Sequence, residues 1–223
     1  MLLNHAQEWG LRVVHETPSD YVIGIDEVGL GACAGPLVVC GAVFPKGWSH
    51  LEVKDSKQFT GEDGRAKHAK RMKVLPIITA ACVYYKAVVV PVVDIDSVGM
   101  GPALEDAMRH VALCCTHAYP ESVVAIDGDN VIRLQRARAV VAIPKGDVLV
   151  PAISAASIIA KTGRDALMIA LNEVYPGYDL DQHMGYGTPG HLEALTKLGV
   201  SPIHRRSYKC VQEILEREAR PVG

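Results

Sequence analysis

Apolar positions along the chain fall into two kinds of run. Short runs rich in β-branched residues, Tyr21–Glu27, Leu37–Phe44 and Cys82–Val90, are bounded by Gly, Pro or charge and predict strands. Gly35 and Pro36 separate the first two, which suits an antiparallel return. Ser122–Asp127 and Ala139–Ile143 predict two more short strands. Helical segments alternate with these: one between Gly61 and Ala80, then Pro102–Ala118. Pro151–Val174 follows as one long helix, with Pro151 favourable in its first turn and Pro176 as its stop. His191–Leu198 and Tyr208–Arg217 supply two C-terminal helical pieces. The order is that of an α/β protein. No repeat, low-complexity stretch or linker interrupts it, so the expected organisation is an N-terminal extension over 1–20 and a single domain over 21–223.

Composition narrows this only a little. A chain of 223 residues can bury one good core, and 49% hydrophobic with 22% charged residues describes a soluble globular protein rather than a disordered one. The formal charge of −2 carries no basic bias, so any nucleic-acid contact must come from a local patch. Six cysteines lack CxxC spacing, and Cys114 and Cys115 adjoin in a predicted helix, which favours reduced, buried thiols and a cytoplasmic setting. Cys33 and Cys40 read as packed apolar residues. The start, MLLNHAQEWG, has no basic segment before an apolar run, and no signal peptide is expected. No apolar run reaches the ~18 residues of a membrane span.

Chemistry enters at YVIGIDEVGLGACAGP, residues 21–36. A strand delivers Asp26 and Glu27 directly into a loop containing Gly29, Gly31 and Gly35. A lone Asp-Glu pair is usually a helix cap or a solvated turn. A dinucleotide site fails on two counts: the glycine spacing is GxGxxxG, and two acids would repel a pyrophosphate. Two further strand ends repeat the arrangement, Asp127-Gly128 after Ser122–Ile126 and Lys145-Gly146-Asp147 after Ala139–Ile143. If those strands are neighbours, Asp26, Glu27, Asp127 and Asp147 meet at one sheet edge. Two like charges ~4 Å apart repel by roughly 4 kcal/mol at an effective dielectric of 20. A carboxylate-only set offsets that best with hard cations, Mg²⁺ or Mn²⁺. Two such ions suit an in-line phosphoryl displacement.

DEVGLGACAGP resembles the DEAGRGPLAGP signature of ribonuclease HII, the type 2 ribonuclease H. The resemblance continues through Asp55-Ser56-Lys57, Ile126-Asp127-Gly128 and Lys145-Gly146-Asp147. It is strongest in AISAASIIAKTGRD (152–165) and YPGYDLDQHMGYGTPGHLEAL (175–195), and it closes at Ser201–Ser207. It implies a ribonuclease H-like fold: a mixed central β-sheet flanked by helices, with C-terminal helices. It further implies that Asp26, Glu27, Asp127 and Asp147 are the metal-binding carboxylates of a catalytic domain using two divalent ions. The implied substrates are RNA–DNA hybrids, cut in the RNA strand, and duplex DNA, incised 5′ of a single embedded ribonucleotide. Both cuts leave a 3′-hydroxyl and a 5′-phosphate.

The family reads the 2′-hydroxyl through the glycine-flanked loop and the tyrosine of its GYGT segment, here Gly29, Leu30, Gly31 and Tyr186. Leu30 stands where the family usually has Arg, and Met184 where Lys commonly precedes GYGT, so two positive charges near the expected substrate path are missing. Lys57 is expected to contact phosphate, while Lys145, Lys161 and Arg164 divide between that role and a solvated surface. Ser154 and Ser157 suit either an anion or a cap near a helix start. His183, His191 and His204 fit no zinc spacing, and His204-Arg205-Arg206 reads as a brace for the active-site end or a phosphate contact. A monomer is expected; a clamp partner is conceivable, but the tail EREARPVG has no clear clamp-binding pattern. Two other classes remain, a catalytically weak nucleic-acid-binding relative and another metal-dependent nuclease on the same fold. Retention of all four acids and an aromatic content of 5% weigh against a stacking platform.

Overall fold

The computed structural model describes residues 3–53, 59–129 and 131–219. Five strands, β1 (Tyr21–Val28), β2 (Leu37–Pro45), β3 (Tyr84–Val90), β4 (Val123–Asp127) and β5 (Ala139–Ile143), form one sheet in the order β3-β2-β1-β4-β5. The β1–β2 and β2–β3 pairs are antiparallel; β1–β4 and β4–β5 are parallel. The sheet is therefore mixed. The described helices are α1 (His5–Glu16), α2 (Gly64–Ala81), α3 (Val92–Val98), α4 (Met100–Ala118), α5 (Gly146–Leu149), α6 (Pro151–Val174), α7 (Leu180–His183), α8 (Pro189–Leu198) and α9 (Lys209–Glu218).

Side chains alternate across each strand, and the two faces feed separate cores. Val22, Cys40, Phe44, Ala125 and Ile143 pack beneath α1, α2 and α6, whereas Ile23, Ile25, Val39, Val124 and Ile126 pack against α3 and α4. A third cluster, with Met168, Leu180, Leu195 and Ile214, joins the far half of α6 to the C-terminal helices. The segment before Tyr21 carries α1, whose start is a reciprocal Asn4–Gln7 capping box and whose Val14 is buried in the first core. Among the described residues no helix is long and apolar enough to cross a membrane.

One contact fixes where the chemistry falls. At Gly24, in the middle of β1, an added Cβ would lie 2.1 Å from the Ala152 carbonyl carbon. Only a glycine lets the first turn of α6 lie directly on the sheet, two residues before Asp26.

Candidate active site

β1 carries Asp26 and Glu27 to one end of the sheet, and β4 ends on Asp127, one position beyond the Ile25–Ile126 pair. By alternation Asp26 shares a face with Val22, and Asp127 with Val123 and Ala125. That face is the one covered by α6. Ser154, Ser157 and Lys161 recur at spacings of three and four, along one side of that helix. The Ser157 hydroxyl hydrogen-bonds the Asp26 carboxylate, Lys161 attracts it, and Lys161 Nζ donates to Ser157 Oγ at 2.7 Å. Ser154 Oγ donates to the Asp147 carbonyl, tying α6 to α5. Asp147 is buried, and its N–H donates to Asp127 Oδ1 at 3.2 Å.

Burial pushes the Asp26 carboxyl up to about 6; Lys161 and Ser157 pull against it, and Asp127 adds to the rise. Glu27 is pushed up to about 7 by burial and then by the charges of Asp26 and Asp127. The Glu27 N–H donates to Asp26 Oδ1 at 2.8 Å, which fixes one carboxylate against the next residue's backbone. This is an anionic site whose repulsion Lys161 offsets only in part, built from oxygen donors, and its chemistry fits a hard divalent cation. Among the described residues no three His, Cys, Asp or Glu side chains are already grouped so as to hold a metal ion. A cation entering here would have to draw the carboxylates together, and its charge would relieve the repulsion that opposes this.

The glycine loop lies beside these acids. Gly29 has φ +94°, and a Cβ there would lie 2.3 Å from Arg164 Nε, so glycine is required both by conformation and by space. Two guanidinium groups hold the loop from within. Arg164, fully buried, donates to the carbonyls of Pro36 (2.8 Å), Met184 (2.8 Å) and Ala34 (3.0 Å). Arg205, also fully buried, donates to the carbonyls of Gly29 (2.7 Å) and Leu30 (3.2 Å) and twice to that of Gly35. Tyr208 adds a hydrogen bond from its hydroxyl to the Leu30 carbonyl. The carbonyls are thus engaged inward, while the amides of Gly29, Leu30 and Gly31 meet no protein acceptor among the described residues. The Leu30 side chain points out, 41% exposed.

Tyr186 is brought to the same loop by a backbone bridge to Ala32, with its ring 39% exposed and Arg164 5.6 Å from the ring centroid. It forms one wall of a cleft of about 450 Å³ whose other walls include Val28, Lys161, Lys67 and Arg71. Three cations therefore face this cleft, and Arg71 is itself paired with buried Asp165. Met184 is buried in the third core and also lines this cleft, where it supplies an apolar wall and no charge. Lys57, with Asp55 and Ser56, lies outside the described residues.

A histidine chain stands behind Tyr186. His191 Nδ1 donates to the Tyr186 carbonyl (3.0 Å), which leaves His191 Nε2 to accept from His204 Nε2 (3.1 Å). His204 Nδ1 in turn accepts from the Ser201 N–H and hydroxyl. Burial holds both rings down at about 4, so they are neutral at pH 7 and their tautomers interlock. The burial of Arg164, Arg205 and this chain is what sequence reasoning missed or left open. The spacing of Ser154, Ser157 and Lys161 is a signal from which a polar helix face could have been read, but its meeting with Asp26 is not among the sequence expectations.

A mixed five-stranded sheet with acids at adjacent parallel strand ends places the protein in the ribonuclease H-like α/β class. The crystal structure of the ribonuclease H2 from Pyrococcus horikoshii OT3 is similar at a TM-score of 0.73 and 25% identity, covering 90% of this chain and 100% of that one. Bst-RNase HIII in complex with Mn²⁺ shares the fold at a TM-score of 0.71 and 20% identity, over 94% of this chain and 73% of its own. The family model for ribonuclease HII matches residues 23–211. The ribonuclease HII of Rhodococcus opacus (strain B4) is 39% identical over 200 residues, 88% of this chain and 83% of that protein. The chain belongs to the ribonuclease HII family. It is accordingly a metal-dependent endoribonuclease, a hydrolase of the ribonuclease H type.

Proposed function

We propose that this enzyme hydrolyses the RNA strand of RNA–DNA hybrids and incises duplex DNA on the 5′ side of a single embedded ribonucleotide, leaving a 3′-hydroxyl and a 5′-phosphate. The observation that carries the reading is a juxtaposition: the Asp26–Asp127 pair and the loop held by Arg164 and Arg205 occupy the same end of the sheet. Asp26, Glu27, Asp127 and Asp147 would hold two Mg²⁺ or Mn²⁺ ions. Bound there, such ions supply charge stabilisation to the attacking and leaving oxygens of an in-line displacement at phosphorus.

The chain's own residues do the rest. Lys161, oriented through Ser157, offsets part of the charge on Asp26 and keeps its carboxylate in one rotamer. Arg205 and Tyr208 turn the loop carbonyls inward, so the Gly29–Gly31 amides are offered to a sugar or phosphate oxygen. The Tyr186 hydroxyl meets the 2′-hydroxyl and its ring packs on the neighbouring nucleotide, which is how RNA is told from DNA. Lys67, Arg71 and Lys161 line the path of the phosphate backbone.

The test is cleavage of two end-labelled duplexes, one a continuous hybrid and one with a single ribonucleotide, with Mg²⁺ and with Mn²⁺. Cuts in the RNA strand of the first and 5′ of the ribonucleotide in the second are expected, with ligatable 3′-hydroxyl ends. Cleavage of plain DNA at similar rates would overturn the reading.

A further inference from the structure

All six cysteines are free thiols, and two of them meet at an unusual place. Cys33 lies in the glycine loop, two residues after Gly31, and Cys210 lies in the first turn of α9. Their sulfurs are 2.7 Å apart. This is closer than the ~3.5–4.0 Å at which even carbon atoms pack. It is only about 0.65 Å longer than the ~2.05 Å of a sulfur–sulfur bond. The surrounding backbone holds them there. Arg205 N–H donates to the Cys33 carbonyl at 2.9 Å, and Ala34 bridges His204, so the segment leading into α9 runs along the loop. On the far side, a Cβ at Gly187 would lie 2.9 Å from Cys33 Sγ, so the Cys33 sulfur has little room to retreat. The other cysteines make no such pair among the described residues.

We propose that Cys33 and Cys210 are a reversible disulfide site, closed by a low-molecular-weight disulfide and opened by thiols, which clamps the C-terminal helix to the glycine loop. Cys33 is 5% exposed and Cys210 is half-buried, so Cys210 reacts first. Its thiolate attacks one sulfur of the reagent RSSR, forming a Cys210–SR bond and expelling RS⁻, which takes up the Cys210 proton. Cys33 then attacks Cys210 Sγ, breaking that bond and expelling the second RS⁻, to which the Cys33 proton passes. The two cysteines lose two electrons and two protons, and RSSR is reduced to two RSH. In a reducing compartment the pair stays open, and a shift of the thiol–disulfide balance closes it. The linkage encloses most of the chain in one loop, a large restriction of the unfolded ensemble.

The reduced full chain is incubated with oxidised glutathione, its remaining thiols are alkylated, and its peptides are mapped without reduction. The expected product joins the peptides containing Cys33 and Cys210, with a loss of two hydrogens from the mass of the intact protein. Tm should rise by on the order of 10 °C and return with dithiothreitol. Amide exchange should slow together in residues 29–35 and in α9. Cys210→Ser, a half-buried change that leaves the core intact, should abolish the cross-link and the rise. A stable glutathione adduct on Cys210 with Cys33 alkylated, or a Tm rise of equal size in Cys210→Ser, would overturn the proposal.

Discussion

Replacing Arg205 with Met tests whether buried guanidinium groups, rather than apolar packing, hold the glycine loop. Met keeps most of the length and volume, so the cavity is small and the change is one of hydrogen bonding. Arg205 serves three carbonyls, those of Gly29, Leu30 and Gly35, and also meets the Tyr208 hydroxyl at 3.0 Å. Hydrogen bonds from a charged donor contribute ~1.5–3 kcal/mol each, and a buried carbonyl left without a donor costs ~1–3 kcal/mol. Against this, burial disfavours the Arg205 charge and lowers its pKa, and removal of that charge returns part of the loss. Leu30 also keeps its bond from Tyr208. The balance is a destabilisation of about 3–5 kcal/mol. For a chain of this length that lowers Tm by roughly 10–15 °C. Arg205→Lys, with a point charge instead of a fork, should fall between the variant and wild type. Thermal denaturation followed by circular dichroism measures both. A Tm for Arg205→Met within ~2 °C of wild type would refute the bracing role.

Asp127→Asn keeps shape and removes a ligand charge, so turnover should nearly vanish with the fold intact; wild-type rates would remove Asp127 from the proposed metal set. The metal-free wild type should also gain Tm on addition of Mg²⁺ or Mn²⁺, as any ligand of the native state stabilises it. Because the Leu30 side chain is exposed while its carbonyl is anchored, Leu30→Arg should lower KM, and more so at low salt than at high salt. Tyr186→Phe should cost about 1 kcal/mol in kcat/KM, the typical value of one hydrogen bond, and Tyr186→Ala much more on a single-ribonucleotide duplex than on a continuous hybrid. The pKa of His191 and His204 falls from 6.5 to about 4 on folding, so the unfolded chain binds more protons between those values. Their contribution is complete above pH ~6.5 and is lost as pH falls toward 4, at most about 3 kcal/mol for one ring. Asp26 and Glu27, raised on folding, act in the opposite direction over the same range. The histidine part is therefore isolated by urea titration of His204→Gln beside wild type at pH 7 and 4.5. Parallel losses in the two proteins would count against the neutral chain.

The contrast between Asp26 and Arg205 shows which kind of information the sequence holds. The strands that position Asp26 and Asp127 are short runs of β-branched residues, and those follow from local pattern because each buries a whole face. The ends of α6 followed from Pro151 and Pro176 for the same local reason. The capping box at Asn4–Gln7 was an equally local signal for α1, although that segment reads as a mere extension by composition. Arg164 and Arg205 differ in kind. A guanidinium is solvated by default, and what reverses the default here is a set of carbonyls that, apart from that of Met184, lie 128 to 176 residues away in the chain. Those carbonyls are exposed for capture only because Gly29 and Gly35 take positive φ and turn the loop out of any ladder. The same glycines that, in the proposed function, let a substrate approach therefore leave backbone acceptors without ladder partners, and the two buried arginines answer that deficit. An apolar residue at either position would leave buried carbonyls without donors, so the loop's open glycine conformation and the burial of two charges are one structural requirement.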